Sequence, residues 1–161
     1  MLHFPKGIVL RLVQYKDNSY IAEIFTQKFG KVSFSVHRPQ SKKASIRNYH
    51  LMPFSLIDMQ IEYKKEWMDT YFRILPDNRV EESFEEKMIQ YKENRDIQKI
   101  CEANLSPEYY AVVDSPVKQL ICQFMAEVVS KTIERNNADE MLFGYFTSLI
   151  NTISSANNLG K

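Results

Sequence analysis

Cysteine is scarce in this chain of 161 residues: Cys101 and Cys122 are the only two, too few for a disulfide scaffold or a thiolate metal site. Glycine (4) and proline (6) are sparse as well, which argues against a collagenous, disordered or low-complexity chain. No stretch approaches the ~20 apolar residues that a membrane helix needs. Residues 1–10 show no basic region followed by a small-residue cleavage site, so a cytoplasmic protein without membrane contact is expected. The three histidines, His3, His37 and His50, are scattered, and the segment around the last two supplies no acid or thiol as a further ligand. Glycine-rich dinucleotide and phosphate loops, HExxH and a nucleophile elbow are all missing. Glu81, Glu82, Glu85 and Glu86 fit the solvated first turns of a helix, where its dipole favours acids. Neither catalysis, nor a cofactor, nor a metal is expected.

Acid is also missing from one long interval. Between Glu23 and Asp58 no Asp or Glu occurs, while Lys28, Lys31, Arg38, Lys42, Lys43 and Arg47 all fall inside the gap. The near-zero net charge of +1 therefore hides an asymmetry: residues 1–65 carry eleven Lys and Arg against four acids, and residues 66–161 carry ten against sixteen. A field of one sign over part of a small protein concentrates polyanions there.

What is present reads first as strands. Residues 7–15 (GIVLRLVQY), 19–26 (SYIAEIFT) and 32–36 (VSFSV) are runs rich in β-branched and large apolar residues, joined by Lys16-Asp17-Asn18 and Phe29-Gly30-Lys31. In the third run Val32, Phe34 and Val36 alternate with Ser33 and Ser35, which puts the first set inside. Residues 37–52 are polar, basic and loop-like, and a mobile loop is expected. A fourth strand over 54–63 places Ile57, Met59 and Ile61 on the core side. Residues 67–75 suit a further strand and 81–93 a helix; residues 97–105 return to strand. The meander lacks the helix–strand alternation of a doubly wound fold.

The last third is helical. Ser115-Pro116 opens a helix over 117–133 whose stripe of Val117, Leu120, Ile121, Phe124, Met125, Val128, Val129 and Ile133 is expected to bury Leu120, Phe124 and Val128 in one core. Asn137 with Glu140 has capping-box spacing before a second helix striped by Leu142, Phe143, Phe146, Leu149, Ile150 and Ile153. Cys101 and Cys122 fit small buried hydrophobes.

The order of short motifs resembles a known family. Lys6-Gly7-Ile8-Val9-Leu10-Arg11, Tyr15-Lys16-Asp17-Asn18-Ser19, Phe25-Thr26, Phe29-Gly30-Lys31-Val32 and Met52-Pro53-Phe54-Ser55-Leu56 resemble the N-terminal domain of RecO, the bacterial recombination mediator. Ile100-Cys101-Glu102-Ala103 is similar to the fifth strand of that domain. Residues 114–118 and 124–128 resemble the first long helix that follows it, and Leu142-Phe143 with Ser148-Leu149-Ile150 the next, in the style of the Bacteroides group. The chain is shorter than is usual in the family and has no counterpart to the zinc module of many members.

The resemblance implies an α+β architecture: a five-stranded oligonucleotide-binding (OB) barrel over residues 1–105, with an acidic insertion at about 66–95, and a partial helical domain over 106–161. It implies binding of single- and double-stranded DNA, annealing of strands, and help in loading a recombinase, which it contacts only indirectly. Implied partners are RecR and the acidic, apolar C-terminal tail of the single-strand-binding protein, in a cytoplasmic, nucleoid-associated setting. Barrels of this kind hold single strands by a basic groove and aromatic stacking. The residues expected to contact DNA are Lys28, Lys31, Arg38, Lys42, Lys43 and Arg47, with Phe29 and Tyr49 as stacking rings. For the protein tail the expected cations are Lys118, Lys131 and Arg135. The rival reading is a structural or adaptor protein that keeps the barrel and binds mainly protein, as the acidic second half and broad helical stripes suggest.

Overall fold

The computed structural model describes residues 2–37, 51–62, 97–134 and 137–157. Its strands are β1 (Leu2–His3), β2 (Lys6–Lys16), β3 (Ser19–Thr26), β4 (Gly30–His37), β5 (Leu56–Glu62) and β6 (Ile97–Leu105). A 3-10 turn at Pro107–Tyr109 leads into helices α1 (Tyr110–Val113), α2 (Pro116–Thr132) and α3 (Glu140–Ser155).

The strands pair in the order β5–β2–β3–β4–β6, and β6 pairs again with β5, so five strands close into a barrel. All pairs are antiparallel except β4–β6, where Ser33, Phe34 and Ser35 lie beside Ile97, Gln98 and Lys99. β1 continues the line of β2 along β5, with Leu2 opposite Glu62 and His3 opposite Ile61. The break falls at Pro5, which has no N–H to give a ladder; its carbonyl accepts from the Met59 N–H at 3.0 Å. This is the expected OB barrel followed by helices.

Alternation decides which side chains fill the barrel. Val32, Phe34 and Val36 are buried together with Ile57, Met59 and Ile61, as the sequence predicts. Ser33 is buried too, at 5% exposure, without any slip of register, because the outer side of β4 is itself covered by helix. Phe25, on the outer side of β3, has no exposure and lies 5.8 Å from the Phe143 ring and 5.9 Å from that of Phe146, both on α3. Phe146 also meets Phe54 at 5.8 Å. The fourth strand begins two residues later than expected, because Phe54 has φ 61 and turns its N–H to the Val9 carbonyl. The expected strand over 67–75, the helix over 81–93, the acidic insertion and most of the basic loop lie outside the described residues.

α2 corrects the sequence reading. Its buried side chains are Cys122, Ala126 and Val129, whereas Leu120 and Phe124 are 65% and 66% exposed and Val128 is exposed as well. The apolar stripe is wide enough to turn either half toward the barrel. The half with Cys122 and Ala126 faces inward because small side chains let the helix come close to β2. Ser115 caps this helix, its hydroxyl accepting from the Lys118 N–H, with Pro116 at the first position as expected. α3 is capped by Asp139, accepting from the Leu142 N–H at 2.9 Å, rather than by the Asn137 box. Between barrel and helices the Tyr109 hydroxyl donates to the Pro53 carbonyl at 2.8 Å and is hydrogen-bonded to the Cys122 thiol. Burial pushes that thiol up to about 11, and desolvation with the neighbouring thiol raises the phenol well above its usual range.

Candidate nucleic-acid interface

The basic interval of the sequence contains β4, which parts its described members. Lys28 and Phe29 occupy the turn at the Gly30 end of β4, whereas the segment from residue 38 leaves from its His37 end. Seven residue steps of strand separate those ends by about 23 Å. Arg38, Lys42, Lys43, Arg47 and Tyr49 lie outside the described residues, and so does Arg135.

The Gly30 end belongs to the contact between barrel and helices. The Thr26 hydroxyl donates to the Gly30 carbonyl at 2.8 Å and accepts from the Phe29 N–H at 2.9 Å, which builds the turn. Gly30 has φ +71, and a β-carbon there would sit 2.5 Å from the backbone of Asn137. No other residue type suits both the left-handed backbone and that approach. Phe29 is half-buried, with the His3 ring edge-on at 5.1 Å, so its ring is engaged from one side. Lys28 is exposed beside it.

Lys31 is not a surface cation. Its side chain is 9% exposed, its Nζ donates to the Ser130 carbonyl at 2.9 Å, and it lies 3.9 Å from a Glu23 carboxylate oxygen. The Ser130 hydroxyl donates to the same carboxylate at 2.6 Å. The register explains the grouping: Glu23 faces Ser33 and Phe25 faces Lys31 across β3–β4, so Glu23 and Lys31 are diagonal neighbours on the outer side, under the last turn of α2. The ammonium expected to meet phosphate instead joins the two parts of the protein.

Of the cations expected to meet a protein tail, Lys118 donates from Nζ to the Ser154 carbonyl at 2.6 Å and so links α2 to the end of α3. Lys131 is exposed and pairs with Glu127 at 2.9 Å. It borders a groove of about 440 Å³ between α2 and β2 that is lined by Leu10, Arg11, Leu12, Gln123 and Ala126. Arg11 is the residue that sequence reasoning missed. A register shift between Val9 and Arg11 breaks simple alternation on β2, so both Arg11 and Leu12 are exposed, which no periodicity signals. At the other end of β4, His37 is exposed, with the Ser19 hydroxyl 3.4 Å from its Nδ1, and Lys99 is exposed in the strand alongside. Among the described residues no group of three or more His, Cys, Asp or Glu is arranged to hold a metal, and no helix is long and apolar enough to cross a membrane.

Residues 1–73 match the family model described as recombination protein O N terminal. The chain is 26% identical over 153 residues to a DNA repair protein RecO of Azobacteroides pseudotrichonymphae, across 95% of this chain and 52% of that protein. It is 27% identical over 145 residues to the DNA repair protein RecO of Bacteroides fragilis, across 90% of this chain and 48% of that one. A 74-residue stretch is 35% identical to the RecO of Phocaeicola vulgatus. The chain spans about half the length of the first two relatives. The resemblance to RecO carried by the order of short motifs is thereby borne out.

Proposed function

We propose that this chain is a DNA-binding part of a recombinational repair mediator, binding and annealing strands and assisting recombinase loading without chemistry on a substrate. The observation that carries the reading is the closed five-stranded barrel, four of whose strands (β2–β5) lie within the residues that match the recombination protein O N terminal. In this reading DNA is held by Arg38, Lys42, Lys43 and Arg47 with Tyr49 as a stacking ring, and by His37 and Lys99, which are exposed toward one end of β4. Lys28 and Phe29, at the far end of the strand, contribute only to a strand long enough to span the barrel. Lys31 is left out of the set because its ammonium is already engaged.

The protein partners proposed are the acidic tail of the single-strand-binding protein and RecR, in the cytoplasm at the nucleoid. For the tail, the groove between α2 and β2 offers the apolar Leu10, Leu12 and Ala126 beside the cation Arg11, and an acidic peptide would have to displace Glu127 from Lys131. The adaptor reading draws its support from the exposed Leu120 and Phe124.

Salt separates the two readings. Phosphate contacts release counterions, each contributing about 0.7 to the slope of log affinity against log salt on a single strand. Fluorescence anisotropy with an oligonucleotide of about twenty nucleotides should show micromolar, sequence-tolerant, steeply salt-dependent binding. The Lys42→Ala/Lys43→Ala/Arg47→Ala variant should lose about two units of slope. Unchanged affinity and slope in that folded variant refute the site; no binding by the wild type at low salt favours the adaptor.

A further inference from the structure

Met52-Pro53-Phe54-Ser55 joins the basic segment to β5, and its backbone is strained. Phe54 has φ 61, and among the described residues it alone, apart from glycine, takes a positive φ. That region suits glycine or asparagine. A large aromatic residue stays there only where its surroundings over-determine it, and such places tend to be functional.

Three parts of the protein hold this turn. From β2, the Val9 carbonyl accepts from the Phe54 N–H at 2.6 Å, and the Val9 N–H donates to the Ser55 carbonyl at 3.0 Å. From α3, the Phe146 ring lies 5.8 Å from that of Phe54, which has no exposure. From the 3-10 turn, the buried Tyr109 donates its phenol proton to the Pro53 carbonyl at 2.8 Å. The same hydroxyl is hydrogen-bonded to the Cys122 thiol, which ties it to α2. Two of the three holds therefore come from residues that follow the barrel in the chain. Phenylalanine at 109 would serve packing alone; the hydroxyl adds a hold on the turn.

We propose that Tyr109 is a positioning residue for DNA binding: it fixes the Pro53-Phe54 turn, and through that turn the point at which the basic segment re-enters the barrel. The inference rests on the DNA-binding reading above and adds that the helical part prepares the barrel for its ligand. Arg47 and Tyr49 precede Pro53 by six and four residues, so a freed turn leaves both with more conformations to lose on meeting a strand. The phenol itself touches no DNA. Its loss raises the cost of ordering the segment and leaves the number of phosphate contacts as it was.

Tyr109→Phe removes the donor and keeps the ring. In fluorescence anisotropy with an oligonucleotide of about twenty nucleotides, at a temperature where circular dichroism shows the variant folded, affinity should fall about three- to tenfold, the factor that one net hydrogen bond is worth. The slope of log affinity against log salt should stay at the wild-type value, which separates lost positioning from a lost phosphate contact. Phe143→Leu is the control: it loosens the same junction at Phe25 rather than at Phe54, and should lower the melting temperature without changing DNA affinity. Wild-type affinity in Tyr109→Phe overturns the proposal and leaves the DNA-binding reading standing. An equal loss of affinity in Phe143→Leu, or a lowered slope in Tyr109→Phe, overturns it as well. A wild type that binds no strand at low salt removes the DNA-binding reading, and the proposal falls with it.

Discussion

Replacing Lys31 by Met removes a charge from the junction of barrel and helices while nearly keeping its volume. In the native protein the ammonium donates to the Ser130 carbonyl at 2.9 Å and sits 3.9 Å from Glu23, with the two side chains 9% and 13% exposed. Removing one partner of a buried ion pair costs about 3–5 kcal/mol, because the remaining charge stays desolvated. The separation is at the long end of an ion pair and some water reaches both groups, so about 3 kcal/mol is expected. For a protein of this size that lowers the melting temperature by roughly 6–12 °C. Adding Glu23→Gln should recover most of the loss, since exchanging a whole buried pair for neutral groups is often close to neutral. Urea denaturation of the two single variants and the double variant gives the coupling directly. The same folded Lys31→Met protein, titrated with single-stranded DNA, should keep the wild-type salt slope. A stability loss below about 1 kcal/mol, or a slope reduced by about 0.7, would refute this account and return Lys31 to the phosphate-binding set.

Three further outcomes follow from the packing. Gly30→Ala combines a left-handed backbone with a β-carbon 2.5 Å from Asn137, and should cost about 2–4 kcal/mol in denaturant titration. Phe146→Ala, which removes the ring wedged between Phe25 and Phe54, should cost about 3–5 kcal/mol, whereas the exposed Phe124→Ala should cost under about 1 kcal/mol. Stability should fall as pH rises from about 9 to about 11: the unfolded chain releases the Cys122 proton while burial keeps the folded thiol protonated up to about 11. The slope from that one group is at most about 1.4 kcal/mol per pH unit, and Cys122→Ala should flatten the profile below about pH 10, above which the raised Tyr109 phenol adds a slope of the same sign.

The barrel was legible because strands report their faces in pairs of residues. Val32, Phe34 and Val36 against Ser33 and Ser35 fix an inner side whatever lies outside. The outer side was harder to read, since its burial comes from helices about a hundred residues away: Phe25 under α3 and Lys31 under α2 look like solvent-side positions until those helices are placed. The same is true of α2 itself. A stripe that runs from Val117 to Ile133 spans two possible inward faces, and only the small side chains at Cys122 and Ala126 hinted which one could approach the barrel closely. The basic interval is a different case. Proximity in sequence becomes proximity in space only across a turn, and here an eight-residue strand lies inside the interval, with Lys28 and residue 38 at its two ends.

Charge then assigns the two ends of that strand different work. The described helical part, residues 107–134 and 137–157, carries Glu108, Asp114, Glu127, Glu134, Asp139 and Glu140 against Lys118 and Lys131. Six acids against two lysines leave the described helical surface net acidic, which disfavours a polyanion over roughly a Debye length, about 8 Å at physiological salt. The Gly30 end of β4 lies against it through Asn137, and its one buried cation is neutralised by Glu23. The proposed function therefore expects DNA toward the His37 end of β4, where His37 and Lys99 are exposed. If this is right, a strand too short to reach Lys28 should bind with the same salt slope in Lys28→Ala as in the wild type, and only longer strands should register the loss. A slope lowered by Lys28→Ala on the shortest binding oligonucleotide would place the DNA at the wrong end in this argument.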